Sequence, residues 1–304
     1  MSHPSSPFQS NCLSPKTALI TGGGSGICFE ISKQLLLHGC SSITICGRRS
    51  SFLQKACSSL NQLGRGRCSY FVMDVRDPQQ CQSAVEYAVA QGGSKTLDIL
   101  VNGAAGNFLA TAEGLSPKGF RTVMEIDTVG TFQMCHFAHP YMVRPKTSST
   151  TTTILNISAT LQYGATWFQS HASAAKAAND SLTRSLALEW GQDNIRVCGI
   201  APGPIADTPG TTKLAPGLTT EDLQDVVGEG IPLQRMGEAW EIGMAAVFLC
   251  GKGGGYVTGD VLVVDGGQWL YKPPMMEREM VQEFSRKVEK QSRDQVPASV
   301  RSKL

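Results

Sequence analysis

"ALITGGGSGICFE", residues 18–30, reads as a β-branched strand, a turn of glycines and the opening of a helix. Gly22, Gly23, Gly24 and Gly26 permit positive φ and close backbone approach. The helix that follows presents unpaired N–H groups suited to a pyrophosphate. A TGxxxG spacing that leaves a strand and opens a helix is more specific than an isolated GxGxxG. It predicts a dinucleotide site with Gly22, Gly23, Gly24, Ser25, Gly26 and Ile27 around the phosphates. One position departs: Cys28 stands where the pattern carries its last glycine, which predicts a tighter fit of helix on strand.

Outward from this stretch, apolar runs alternate with helical patterns. The runs are "TALIT" (17–21), "SITIC" (42–46), "SYFVM" (69–73), "LDILVN" (97–102), "TTILNIS" (152–158), "IRVCGIAP" (195–202) and "VLVVDGG" (261–267). Amphipathic spacing over residues 26–38 and 78–91 supplies crossover helices. The expected fold is an α/β, Rossmann-type, doubly wound parallel sheet of seven strands, with helices on both faces, in a single domain. Such sheets bind ligands at the carboxyl ends of their strands, near the topological switch point. The Ser/Thr run 147–153 reads as a surface loop leading into a strand, and the proline-rich residues 203–235 read as a lid.

With 304 residues, 41% hydrophobic and 17% charged, the chain suffices for one large domain, and a formal charge of +2 gives no argument for nucleic acid. No apolar run reaches the ~18 residues needed to span a membrane. Ten cysteines are scattered without CxxC or zinc-type spacing, which fits buried thiols in a reducing compartment and no metal site. Residues 1–14 read as a flexible lead-in, 15–272 as the folded domain and 273–304 as an extension. That extension ends in Ser302, Lys303 and Leu304, the tripeptide read by the peroxisomal import receptor, so the expected location is the peroxisomal matrix.

Arg48 and Arg49 follow the second strand, where an acidic residue would bind the ribose of NAD and arginines instead neutralise a 2′-phosphate. NADPH is therefore the expected cofactor. Asp74, followed by Val75, ends the third strand and is placed to receive the adenine amino group. Asn102 to Gly106, including Ala104, form a small-residue floor under the adenosine half.

These motifs, with "HASAAK" (171–176), "APGPI" (201–205) and "VDGG" (264–267), occur in an order that resembles the short-chain dehydrogenase/reductase family from about residue 14 to 270. The resemblance adds Pro202, Gly203, Pro204, Ile205 and Thr208 to the cofactor site. Most members carry an Asn-Ser-Tyr-Lys set, in which lysine binds the nicotinamide ribose and lowers the pKa of a tyrosine that exchanges the proton. Ser158 and Lys176 keep two of these places, whereas Ala172 stands for the tyrosine and Asp127 for the asparagine. His171 precedes Lys176 by five residues, roughly 140° around a helix, and is expected to pack rather than face the nicotinamide. Tyr163, in the loop after the strand, could swing in as an acid.

"AAGNFL", "IDTVGTF", "NISATL", "HASAAKAA" and "LALEWGQDNIRV" together are similar to the peroxisomal 2,4-dienoyl-CoA reductases, which likewise lack the tyrosine and carry the aspartate. The mitochondrial relatives hold a tyrosine where this chain has Leu161. The resemblance implies NADPH-dependent reduction of 2,4-dienoyl-CoA to 3-enoyl-CoA, and a homotetramer or homodimer. Catalytic expectations are Lys176 on the ribose, Asp127 orienting a water that protonates C2, Asp265 helping to hold that water or stabilising a turn, and Ser158 donating to the thioester oxygen or shaping the pocket. For coenzyme A the resemblance points to Arg48 or Arg76 near the nucleotide, Phe108 against the acyl chain, Ser116 and Lys118 beside the pantetheine, and Lys213 on the lid. Three other readings stand beside it: a carbonyl or alcohol oxidoreductase using Tyr163, an NADP-binding scaffold in which Ala172 and Cys28 mark lost catalysis, and another acyl-CoA enoyl reductase that accepts only a 2-enoyl substrate.

Overall fold

The computed structural model describes residues 5–148, 150–214, 217 and 219–294, without the side chains of 212–214, 220, 221, 225, 226, 293 and 294. Seven strands form one wholly parallel sheet in the order β3-β2-β1-β4-β5-β6-β7. In chain order the elements are β1 (Thr17–Thr21), α1 (Gly26–Leu37), β2 (Ser42–Gly47), α2 (Ser50–Asn61), β3 (Arg67–Val72), α3 (Pro78–Gln91), β4 (Ile99–Asn102), α4 (Pro117–Met124), α5 (Gly130–Met142), β5 (Thr152–Ile157), α6 (Leu161–Gly164), α7 (Ser170–Trp190), β6 (Ile195–Pro202), α8 (Pro209–Leu214), α9 (Thr220–Gly228), α10 (Ala239–Cys250) and β7 (Val261–Val264). Residues 1–269 and 270–304 are two units; the second carries α11 (Arg278–Asp294), with Lys287 paired to Glu283 at 2.6 Å.

A parallel strand covered on both faces buries every side chain, so its sequence is a continuous apolar run rather than an alternation. β1 follows this rule. Leu19 enters the cluster of Leu100, Ile154, Val85 and Met134, under α3, α5 and α7. Its neighbour Ile20 enters the opposite cluster of Ile43, Ile45, Ile31 and Val247, under α1, α2 and α10. The order of strands reverses between β1 and β4, and the crevice at their carboxyl ends is where a ligand site belongs.

Two local expectations need correction. The lead-in is pinned rather than flexible from Ser6 onward: Leu13 is fully buried, Ser6 hydrogen-bonds His38 at 2.6 Å, and the Leu13 N–H donates to the His38 carbonyl at 2.9 Å. The Ser/Thr loop stops at Thr151, because Thr152 and Thr153 are buried, Thr152 donating to the Met142 carbonyl and Thr153 receiving Arg196 at 2.7 Å. The described part of residues 203–235, the expected lid, carries the helices α8 and α9, the latter opened by a reciprocal Thr219–Asp222 capping box.

Candidate active site

A cleft of about 520 Å³ opens at that switch point, lined by Gly22, Gly24, Ser25, Gly26 and Ile27 from the first turn, and by Arg48 and Arg49 beyond β2. Asp74 and Val75 beyond β3, Ala104 to Asn107 beyond β4, Ser158 beyond β5, Lys176 on α7 and Thr208 complete it. The turn demands glycine for steric reasons. At Gly22, with φ of 72°, an added Cβ would stand 2.7 Å from the Gly103 carbonyl oxygen. At Gly23 it would stand 2.7 Å from Ile45 Cγ2, so that glycine lets the turn settle on β2 rather than facing the cleft. Cys28 is accommodated from the other side: a Cβ on Gly103 would meet its sulfur at 2.0 Å, so the sulfur fills the space a side chain at 103 would take. Burial pushes the Cys28 thiol up to about 12, which leaves it inert.

The residues present fit an anionic dinucleotide. No acidic side chain occupies the first turn of α1, and the Ser25 hydroxyl does not cap it, so its leading N–H groups remain available. The guanidinium of Arg49 lies 4.0 Å over the Phe52 ring, and Arg48 beside it is exposed. Asp74 is gripped by Arg76 at 2.6 to 3.1 Å, which holds the carboxyl below its ordinary range, the hydrogen bond outweighing desolvation. Arg76 thus stands paired to Asp74 through Nε and Nη2.

The floor holds the chemistry. Helices α4 and α5 are joined by a π-helical turn, Glu125–Val129, in which Asp127 is 1% exposed. Such single turns re-aim side chains and concentrate at functional sites. Asp127 Oδ2 accepts the Gly106 N–H at 2.7 Å, and Oδ1 stands 3.0 Å from Lys176 Nζ. The lysine also donates to the Ile157 carbonyl at 3.0 Å. A buried ion pair depends on further hydrogen bonds; each partner here has one backbone contact, while Asp127 Oδ1 meets only the ammonium, as an ion pair. Ala172, one turn before Lys176, is 2% exposed and lines the same cleft. Position and pairing therefore unite Asp127, Lys176 and Ala172 at one point.

Ser158 also lines the cleft, but its hydroxyl donates to Asp180 at 2.5 Å, so its hydrogen is not free for a thioester oxygen. Asp180 escaped sequence reading, because an aspartate on a helix ordinarily belongs to the solvated face. Its place four residues after Lys176, on the same side of α7, was the available signal.

Other expected residues lie elsewhere. Asn102 does not line the cleft: it faces Asn156 in register across β4 and β5, donating to it at 2.9 Å, and Asn156 continues to Thr183. Asp265 accepts the Gly267 and Trp269 N–H groups at 2.8 and 2.9 Å, and with Pro204 and Ile205 lines a second cavity of about 410 Å³. Its carboxylate thus serves the glycine turn. Pro202 and Gly203 line neither cavity; a Cβ on Gly203 would come within 2.6 Å of Asp265 Cβ, which is why the two segments pack. Tyr163 also lies outside the cleft lining; its ring stands edge-on to Trp269, and burial, then Asp180, push its phenol up to about 12. That is remote from a poised acid.

His171 is fully buried, its ring 4.3 Å from Phe108, and neither nitrogen has a hydrogen-bond partner among the described residues. Burial lowers its pKa, against weaker support for the charged form from the Phe108 backbone and Asp127. Phe108, 40% exposed, follows the lining residue Asn107 in the chain but does not itself line the cleft. Ser116 caps α4 by accepting the Gly119 N–H at 3.0 Å, and Lys118 is exposed. The side chain of Lys213 and the tripeptide Ser302, Lys303 and Leu304 lie outside what is described.

A family model described as enoyl-(acyl carrier protein) reductase matches residues 22–268. A relative from Arabidopsis thaliana, named peroxisomal 2,4-dienoyl-CoA reductase [(3E)-enoyl-CoA-producing], is 51% identical over 98% of this chain and 99% of its own. One of the same name from Danio rerio is 43% identical over 89% of this chain and 87% of its own. Among solved structures, a short chain dehydrogenase from Bacillus anthracis matches with a TM-score of 0.74 and 32% identity, covering 86% of this chain and 100% of that one. The Pseudomonas aeruginosa RhlG/NADP active-site complex matches with a TM-score of 0.77 and 27% identity, over 86% and 100%. The chain belongs to the short-chain dehydrogenase/reductase family and, within it, groups with the relatives named peroxisomal 2,4-dienoyl-CoA reductase.

Proposed function

We propose that this enzyme reduces 2,4-dienoyl-CoA thioesters to 3-enoyl-CoA with NADPH, in the peroxisomal matrix. The observation that carries the reading is the buried Lys176–Asp127 pair at 3.0 Å, set beside Ala172 where a carbonyl reductase would place its phenol. A ketone reductase must protonate an alkoxide. A 2,4-dienoyl thioester needs no such proton: reduction at C5 leaves charge spread over the thioester oxygen, C2 and C4, and a 3-enoyl product requires the proton at C2. The missing phenol is then no defect.

Bound in the cleft, a reduced nicotinamide supplies the hydride. Lys176 holds the ribose and lends positive potential to the floor, fixed by Asp127 and the Ile157 carbonyl. Asp127, its second oxygen held by the Gly106 N–H, orients the water that passes a proton to C2. Arg48 and Arg49, with no carboxylate between them, support a 2′-phosphate and hence NADPH over NADH. The exposed Phe108 and Lys118 are the candidate contacts for the acyl chain and coenzyme A. Location in the peroxisome is supported by the names of the relatives and by the terminal Ser-Lys-Leu.

The test is an assay of the purified protein with 2,4-hexadienoyl-CoA, with NADPH and NADH compared and the product's double bond located. A Bacillus subtilis relative, 37% identical over 86% of this chain and 100% of its own, is named a probable (2E)-enoyl-CoA-producing reductase. The expected product here is 3-enoyl-CoA with NADPH preferred; a 2-enoyl product, or turnover of ketones alone, would overturn the reading.

A further inference from the structure

Each turnover of the proposed reaction consumes one proton from solvent, and the cleft floor is buried. A carboxylate able to carry that proton is bonded to Ser158. Asp180 is 4% exposed and takes the Ser158 hydroxyl on Oδ1 at 2.5 Å and the Gln162 amide on Oδ2 at 2.5 Å. Gln162 reaches back to Ser158 Oγ at 3.4 Å, and its own carbonyl oxygen is buried without a partner among the described residues. Asp180 adds to burial in pushing the phenol of the half-buried Tyr163 up. Lys176 stands one turn before Asp180 on α7 and Arg184 one turn after.

A buried carboxylate is costly unless it is hydrogen-bonded, and Asp180 is bonded to a serine that lines the cleft and to the half-buried Gln162. We infer that Asp180 is a positioning residue that aligns Ser158 and passes it the solvent proton, so that Ser158 and Asp180 form the proton supply to the cleft. The step balances simply. A solvent proton binds Asp180, which then donates to Ser158 Oγ, and the Ser158 hydrogen, held by the carboxylate until then, turns to the cleft; the acid gives its proton to Ser158 Oγ as the Ser158 hydrogen moves to the cleft water; that water protonates C2. One O–H bond of the donor breaks, one C–H bond forms, and each relay group returns to its starting state. The inference rests on the proposed dienoyl reduction.

The experiment compares wild type with Asp180→Asn, Asp180→Glu and Ser158→Ala, measuring kcat, NADPH affinity and the solvent deuterium isotope effect with 2,4-hexadienoyl-CoA. Asp180→Asn keeps a hydrogen-bonding shape but carries no acid. Its kcat should fall by roughly 100-fold, the lower range for a lost general acid, with NADPH affinity intact and a larger isotope effect; Asp180→Glu should recover part of the loss. Ser158→Ala cuts the relay at its inner end and should show the same signature, which keeps the test open should Asp180→Asn fail to fold. Unchanged kcat and isotope effect in the variants, or a loss confined to NADPH affinity, would overturn the relay while leaving the reductase reading in place. Absence of dienoyl-CoA turnover by wild type would overturn both.

Discussion

At the scale of single residues, the site is defined by which polar groups are paired and which are not. Asp127 and Lys176 are paired with each other and with backbone, so they hold their geometry before any ligand arrives. His171 is the opposite case. Its imidazole is buried with both nitrogens unpartnered among the described residues, and burial lowers its pKa below the ordinary 6.5. A histidine depressed in the folded state contributes stability that is complete above its unfolded pKa and is lost as pH falls through that value toward the folded one. Between about pH 7.5 and about pH 5.5 the wild type should therefore lose more stability than His171→Leu, read by urea unfolding at each pH. An equal loss in both would show that His171 does not titrate against the fold. The residues legible in the sequence were those fixed by spacing from a motif, such as Lys176 and Ala172. Asn102 and Asp180 were not: the inward turn of one depends on its register opposite Asn156, and the burial of the other depends on Ser158 arriving from a distant strand.

Among elements, the decisive fit is between the glycine turn with α1 and the end of β4. Cys28 replaces a glycine, and Gly103 makes room for it. Gly103→Ala would put a methyl 2.0 Å from the Cys28 sulfur, and forced overpacking of this kind costs about 1–3 kcal/mol. Adding Cys28→Gly should return most of that loss, so a double-mutant cycle by chemical denaturation should show strong coupling. Additive effects would mean the two positions do not share the space. This coupling could not be read from the sequence, where Gly103 belongs only to a small-residue floor under the adenosine half. The strands themselves were legible, since burial on both faces writes an apolar run. The π-helical turn at Glu125–Val129 was not: it differs from α-helix by one hydrogen-bond register, and no side chain marks it.

For the whole molecule, the parallel sheet fixes the cleft, and the chain's ends carry other tasks. The N-terminal segment closes over His38 and the α10 side of the core through Leu13, and Lys16 reaches the Cys250 carbonyl at 2.7 Å. At the other end, Ser302, Lys303 and Leu304 are proposed as an import address. Deleting these three residues should abolish delivery to peroxisomes while leaving kcat unchanged, measured by fluorescence localisation and by assay. Import of the truncated chain would remove the tripeptide from the account. Self-association into a dimer or tetramer remains a proposal for sedimentation to decide. The chemistry is met most directly by one measurement: turnover of 2,4-hexadienoyl-CoA by Asp127→Ala, with NADPH affinity determined on the same sample. The expected result is loss of turnover by roughly 100-fold or more with NADPH still bound. Undiminished turnover in that variant would contradict the central role of the Asp127–Lys176 pair.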